Sequence, residues 1–143
     1  MISDKKDLNT ISDPFLVICR GNIEEVLHML NSTEKLNINK IRHWSGFSML
    51  HRAAQLGNTD ICEILIKFGA DVNMRSVRGW YTPLHLALAN GYIETAIFLM
   101  NAGAKPWTKS KYKEDPFTYG MYYYIVIFNL RMILSYHNNL YDD

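Results

Sequence analysis

Two stretches of this chain repeat each other at a spacing of 34 residues. One reads Gly46-Phe47-Ser48-Met49-Leu50-His51-Arg52-Ala53-Ala54-Gln55-Leu56-Gly57. The other reads Gly79-Trp80-Tyr81-Thr82-Pro83-Leu84-His85-Leu86-Ala87-Leu88-Ala89-Asn90-Gly91. Leu50 and Leu84, His51 and His85, Gly57 and Gly91, and Gly69 and Gly103 are each 34 positions apart. Gly46 and Gly79 are 33 apart, so the second copy holds one extra residue between its glycine and Thr82. A period of this length marks a stack of supersecondary units, and it constrains the fold more than any other feature.

The physics of one unit is legible. Thr82 suits a helix N-cap, and Pro83 suits the first helical position, where its missing N–H costs nothing. Leu84 to Ala89 is short and alanine-rich, fit for a helix that packs closely against neighbours. Gly57 and Gly91 allow the positive φ that ends a helix tightly. A second helix follows. Ile61, Ile64, Leu65 and Phe68 recur at i, i+3, i+4 and i+7, as do Ile93, Ala96, Ile97 and Met100. Gly69 and Gly103 end these helices. A helix pair this small cannot bury its own apolar face, so the units must stack.

The run Thr82-Pro83-Leu84-His85-Leu86-Ala87 carries the whole Thr-Pro-Leu-His-x-Ala motif and resembles the ankyrin repeat. Ser48-Met49-Leu50-His51-Arg52-Ala53 departs from it at the proline. The resemblance covers Gly46 to Ala104. Two weaker units flank it. In the first, Cys19-Arg20-Gly21-Asn22 stands where Gln55-Leu56-Gly57-Asn58 stands later, and Ile23, Val26, Leu27 and Leu30 keep helical spacing. Asn39 precedes Asn73 by 34 and continues the phase. In the last, Pro116 lies 33 after Pro83, with Thr118 in the histidine place and Tyr124 in the glycine place. The expectation is an all-α ankyrin-repeat solenoid of about four stacked helix-turn-helix units with β-hairpin loops. Its repeats would span about 13–42, 43–75, 76–108 and 109–137, between polar tails at 1–12 and 138–143.

Composition bounds the function. The 143 residues suit one domain able to bury a real core. A net charge of +1 offers no overall attraction to nucleic acid or anionic lipid. Cys19 and Cys62 sit in apolar runs and form neither a CxxC pair nor a disulfide framework. That usage points to a reducing intracellular compartment, the cytoplasm first. The polar start Met1-Ile2-Ser3-Asp4-Lys5-Lys6-Asp7 is not a secretory signal. Neither end carries a lipidation or retention motif. The longest apolar run, Met121 to Leu134, is interrupted by Asn129 and Arg131 and falls short of the ~20 residues of a membrane span.

The residues that invite chemistry have structural competitors. His51 and His85 share one phase in the repeat and lack Cys, Asp or Glu at ligand spacing, so they read as scaffold. His28, His43 and His137 are scattered. Nothing marks Cys19 or Cys62 as activated, and no phosphate loop is present. No catalytic, metal or cofactor-binding residue is assigned, and the chain reads as a non-enzyme. The resemblance makes Asn73 a candidate acceptor for hydroxylation; the competing role is a loop-stabilising side chain.

The resemblance also implies binding through hairpin tips and the exposed side of the first helices. The tips are His43, Trp44, Ser45 and Phe47, then Val77, Arg78, Trp80 and Tyr81, then Lys111 and Tyr112. The first-helix places are Cys19 and Arg20, Gln55 and Leu56, Ala89 and Asn90, and Tyr122 and Tyr123. Trp, Tyr and Arg dominate binding hot spots, so aromatic tips point to a protein partner. The competing role is packing onto the next repeat. Lys105 to Lys113 surrounds Trp107 and Tyr112 with lysines, a pattern that also suits single-stranded nucleic acid. Glu114, Asp115 and the neutral chain argue against that. Ile127, Phe128 and Met132 cannot all face inward from the last helix, and would form an apolar end cap. Two functions follow: an adaptor or scaffold gripping a protein partner by its tips and concave face, and an accessory subunit docked into a larger assembly by that cap.

Overall fold

The computed structural model describes residues 13–32 and 37–122. Its helices come in pairs. The first pair is α1 (Pro14–Arg20) and α2 (Ile23–Ser32), followed by a short 3-10 turn at Ile38–Lys40. The second is α3 (Met49–Gln55) and α4 (Thr59–Lys67), and the third is α5 (Pro83–Ala89) and α6 (Ile93–Asn101). A further helical stretch begins at 116 and is described to 122.

Each pair packs on itself and on the next. The short helices α1, α3 and α5 form one layer, and the longer α2, α4 and α6 form a second. Between the layers lie Ile18, Val26, Leu50, Ile61, Leu65, Leu84 and Leu99, all essentially removed from water. Ala53, Ala54, Ala87 and Ala96 are equally buried. Their small side chains let helix backbones approach closely, which explains the alanine content of the repeat. The buried Thr95 adds a polar tie, its hydroxyl 2.8 Å from that of Thr59 across α4 and α6.

The chain turns within a pair where the repeat places glycine. Gly57 adopts φ +72°, and a Cβ there would lie 2.5 Å from the Tyr92 ring of the next repeat. Glycine is therefore required twice over, by conformation and by the close approach. Between pairs the chain makes narrow hairpins. They are closed by backbone hydrogen bonds from His43 N–H to Phe47 O, Ser76 N–H to Tyr81 O and Ser110 N–H to Glu114 O, each 2.8 Å. Among the described residues the only ladder pairing is the antiparallel bridge between Arg42 and Ser48, so these loops are turns with minimal strand character.

One expectation about packing is corrected. Helical spacing sets Ile93 and Ile97 on the apolar face of their helix, yet they are 58% and 50% exposed. The buried face of α6 is instead Thr95, Ala96 and Leu99. The helix is apolar on nearly every side, so helical spacing alone fits more than one face. Ile23 and Phe68, which share the helical spacing of their buried neighbours, lie at the exposed ends of their helices.

Candidate protein-binding face

The hairpins are held in register by two histidines. His51 is fully buried. Its Nε2 lies 2.8 Å from the Tyr81 carbonyl, which can only accept, so the neutral ring carries its proton on Nε2. Nδ1 then accepts from the Ser48 backbone N–H at 3.2 Å and from the Ser48 hydroxyl at 2.7 Å. His85 repeats the arrangement with Thr82 and the Glu114 carbonyl at 3.2 Å. Each ring caps its own first helix and ties it to the next hairpin. Burial drives the His51 pKa down to about 4, with Arg42 and His85 adding repulsion against the Tyr81 carbonyl's support. Burial also lowers that of His85. Both are scaffold and stay uncharged at neutral pH.

Asn39 and Asn73 perform a second tie. The Asn73 amide donates to Gly103 O at 3.0 Å and accepts from Lys105 N–H at 2.8 Å. Asn39 does the same one repeat earlier with Gly69 and Asp71. These bonds supply the loop-stabilising role expected for Asn73. Neighbouring hairpins are joined directly by Val77 N–H to Gly46 O, 3.1 Å, and by Lys111 N–H to Gly79 O, 2.8 Å. Two buried serines that sequence reasoning passed over, Ser76 and Ser110, brace the second and third hairpins from within. Their 34-residue spacing was the available signal.

On this braced framework the aromatic tips divide into two kinds. Trp44, Tyr112 and Trp80 point to solvent, at 81%, 63% and 48% exposure. Phe47 and Tyr81 are half-buried. The Phe47 ring stacks on His51 at 5.5 Å, and the Tyr81 ring lies 4.6 Å from Tyr119 and 5.7 Å from His85. For these two the structure shows the packing role that competed with binding. Trp80 is the extra residue of the second copy. It bulges from the hairpin at φ +55°, a left-handed conformation that costs a bulky side chain free energy. The Arg75 guanidinium sits 5.8 Å over its ring.

An open groove of about 420 Å³ runs between the first hairpin and helices α1 and α3. It brings together Cys19, His43, Trp44, Ser45, Phe47 and Gln55 from the expected positions. It also includes Asp13, Phe15, Leu16 and Arg52. Leu16 and Arg52 were not singled out from sequence; Leu16 and Cys19 stand three apart on α1 and share a face. The other expected positions lie elsewhere. Arg20 is exposed and pairs with Glu25 at 3.2 Å. Leu56 is half-buried, Arg78, Asn90 and Tyr122 are exposed, and Ala89 is buried. Tyr123, Ile127, Phe128 and Met132 lie outside the described residues. Among the described residues no three His, Cys, Asp or Glu gather as a metal site, and no helix is long and apolar enough to cross a membrane.

Stacked short-helix pairs, joined by hairpins and tied through a repeated histidine and asparagine, define a repeat solenoid with a solvent-facing row of loop tips. Residues 15–110 match the family pattern described as ankyrin repeats in three copies, and the chain belongs to the ankyrin-repeat family. Its repeats serve protein–protein interaction. The chain is similar to protein phosphatase 1 regulatory subunit 27 of Homo sapiens, 39% identical over 87 residues, 61% of this chain and 54% of that one. It resembles Notch-regulated ankyrin repeat-containing protein A of Danio rerio, 31% identical over 112 residues, 74% and 92% of the two chains. It also resembles ADP-ribosylation factor GTPase-activating protein AGD2 of Arabidopsis thaliana, 41% identical over 81 residues, where the match covers 55% of this chain and 10% of that one. The chain spans about half the length of the phosphatase regulatory subunits it matches.

Proposed function

We propose that this chain is a non-catalytic adaptor that binds a partner protein through its hairpin tips and the adjoining face of the first helices. The observation that carries this reading is the outward row of Trp44, Trp80 and Tyr112 on hairpins already tied to one another by backbone hydrogen bonds. Such side chains contribute little to the fold, and their placement on a rigid frame lowers the entropy lost on binding. The similarity to a phosphatase regulatory subunit and to other ankyrin proteins fits a regulatory role without chemistry of its own. The two unpaired thiols fit a reducing, cytoplasmic location.

The test is Trp44→Ala combined with Trp80→Ala in the full chain. Partners that co-purify with the wild-type protein should be lost, while circular dichroism and melting temperature change little. Loss of structure along with binding would assign both residues to the core and refute the reading. A second reading, a fixed subunit docked through the last helix, draws on the exposed Phe117, Met121 and Tyr122 where that helix begins. It expects a chain that aggregates when purified alone and recovers when Ile127, Phe128 or Met132 is made polar.

A further inference from the structure

The near-neutral net charge conceals a division of charge between the two layers. Helices α2, α4 and α6 carry Glu24, Glu25, Asp60, Glu63 and Glu94 against a single Lys67. Every other described Lys and Arg stands on a first helix, a link or a hairpin. The acids on that side are Asp13, Asp71, Glu114 and Asp115, and they are largely engaged. Asp13 accepts the Phe15 N–H at the start of α1, Asp71 accepts the Asn73 N–H, and Asp115 pairs with Lys109 at 2.9 Å. Among the described residues, Arg52, Arg75, Arg78, Lys111 and Lys113 have no carboxylate within ion-pair distance.

Arg52 is the most telling of these. It is half-buried in the wall of the groove, and its hydrogen-bond partners among the described residues are neutral, Cys19 Sγ at 3.2 Å and Gln55 Oε1 at 2.8 Å. Asp13 also lines the groove, but its carboxylate is engaged by the Phe15 N–H and makes no ion pair with Arg52. A partly desolvated guanidinium held by neutral partners favours an incoming carboxylate, and its planar fork suits that geometry. The cation row bears on the scaffold as well: Arg42 and Arg75 each oppose protonation of the histidine near them. Beside Arg52, Leu16, Phe15 and Phe47 offer apolar surface with Trp44 as a wall.

Building on the adaptor reading, we infer that the partner contributes an extended acidic segment. One large apolar side chain of that segment seats in the groove between α1 and the first hairpin, and its carboxylates lie along Arg52, Arg75, Arg78 and Lys111. The hydrogen bonds between hairpins set Arg78 and Lys111 on adjacent tips, so a strand-like segment crossing the tips meets them in turn. Nucleic acid fits less well. The acids of the second-helix layer cancel the long-range field that phosphate binding relies on, and the groove is short and apolar.

The experiment screens the full chain against a displayed library of random peptides and measures enriched sequences by fluorescence anisotropy. Enriched peptides should combine one or two large apolar residues with flanking Asp and Glu. Arg78→Glu with Lys111→Glu should weaken them about tenfold or more, and raising sodium chloride from about 0.05 to 0.5 M should do likewise. Leu16→Ser, at a position 53% exposed, should weaken them about tenfold with the melting temperature unchanged. Enrichment of apolar peptides without acid excess would overturn the acidic partner and leave the adaptor reading standing. Equal binding of oligoglutamate, or indifference to Leu16→Ser, would overturn the groove's role. Displacement of the peptides by single-stranded oligodeoxythymidylate at lower concentration would assign the cations to nucleic acid. If no peptide is enriched, the inference fails, and the Trp44 and Trp80 variants still judge the adaptor reading separately.

Discussion

Acid should loosen this stack before its carboxylates are touched. His51 has an ordinary pKa of 6.5 in the unfolded chain and about 4 when folded, because burial excludes the charged ring and Nδ1 already accepts from Ser48. The folded value is depressed, so the stabilisation is complete above pH 6.5 and is lost as pH falls toward 4. Within that window the unfolded chain binds a proton that the folded chain refuses. The slope approaches about 1.4 kcal/mol per pH unit and accumulates to about 3 kcal/mol. His85 is lowered by the same cause and adds in the same direction. Asp115 does not contribute there, since its depressed pKa matters only as pH falls below 3.8. The assay is urea unfolding followed by circular dichroism at several pH values between about 7.5 and 4.5. His51→Gln should cost about 2 kcal/mol at neutral pH, from a buried partner left unpaired. It should also flatten the profile to the share left by His85. Constant stability from pH 7.5 to 5, or a His51→Gln variant with the full wild-type slope, would refute the reasoning.

Two further outcomes test the stacking. Gly46 has φ +86°, and a Cβ there would come 2.8 Å from Val77 Cβ in the next hairpin, so Gly46→Ala should cost about 2 kcal/mol or more and lower the melting temperature by about 5 °C. A normal melting temperature would mean that the hairpins are not in close contact. Cys62 is buried, which pushes its thiol up to about 12, whereas Cys19 is exposed. A thiol reagent at about pH 8 should therefore titrate one cysteine rapidly in the folded chain and both in urea; two fast thiols without denaturant would contradict the core.

The period of 34 residues, the glycines and the Thr-Pro-Leu-His motif determined the helix pairs, their turns and the stacked architecture. These features are local and repeat in phase, so sequence alone displays them: Gly57 must turn, Pro83 must open a helix, and Leu50 and Leu84 mark the same place in successive units. The histidines were legible as scaffold for the same reason, although their partners, the Tyr81 and Glu114 carbonyls about 30 residues away, were not. The buried face of α6 is not legible in the sequence, because an almost uniformly apolar helix has no distinctive side until a neighbour chooses one. The binding face needed tertiary structure most. Phe47 and Tyr81 look like Trp44 and Trp80 in a list of aromatic tips, yet stacking on His51 and Tyr119 withdraws the first two and leaves the others in water. Leu16 and Arg52 stand 36 positions apart and meet only because α1 packs against α3. The charges of this chain nearly cancel in sequence. Folding into two layers separates them, because each layer is built from alternate helices, and a sum along the chain cannot register which layer a charge belongs to.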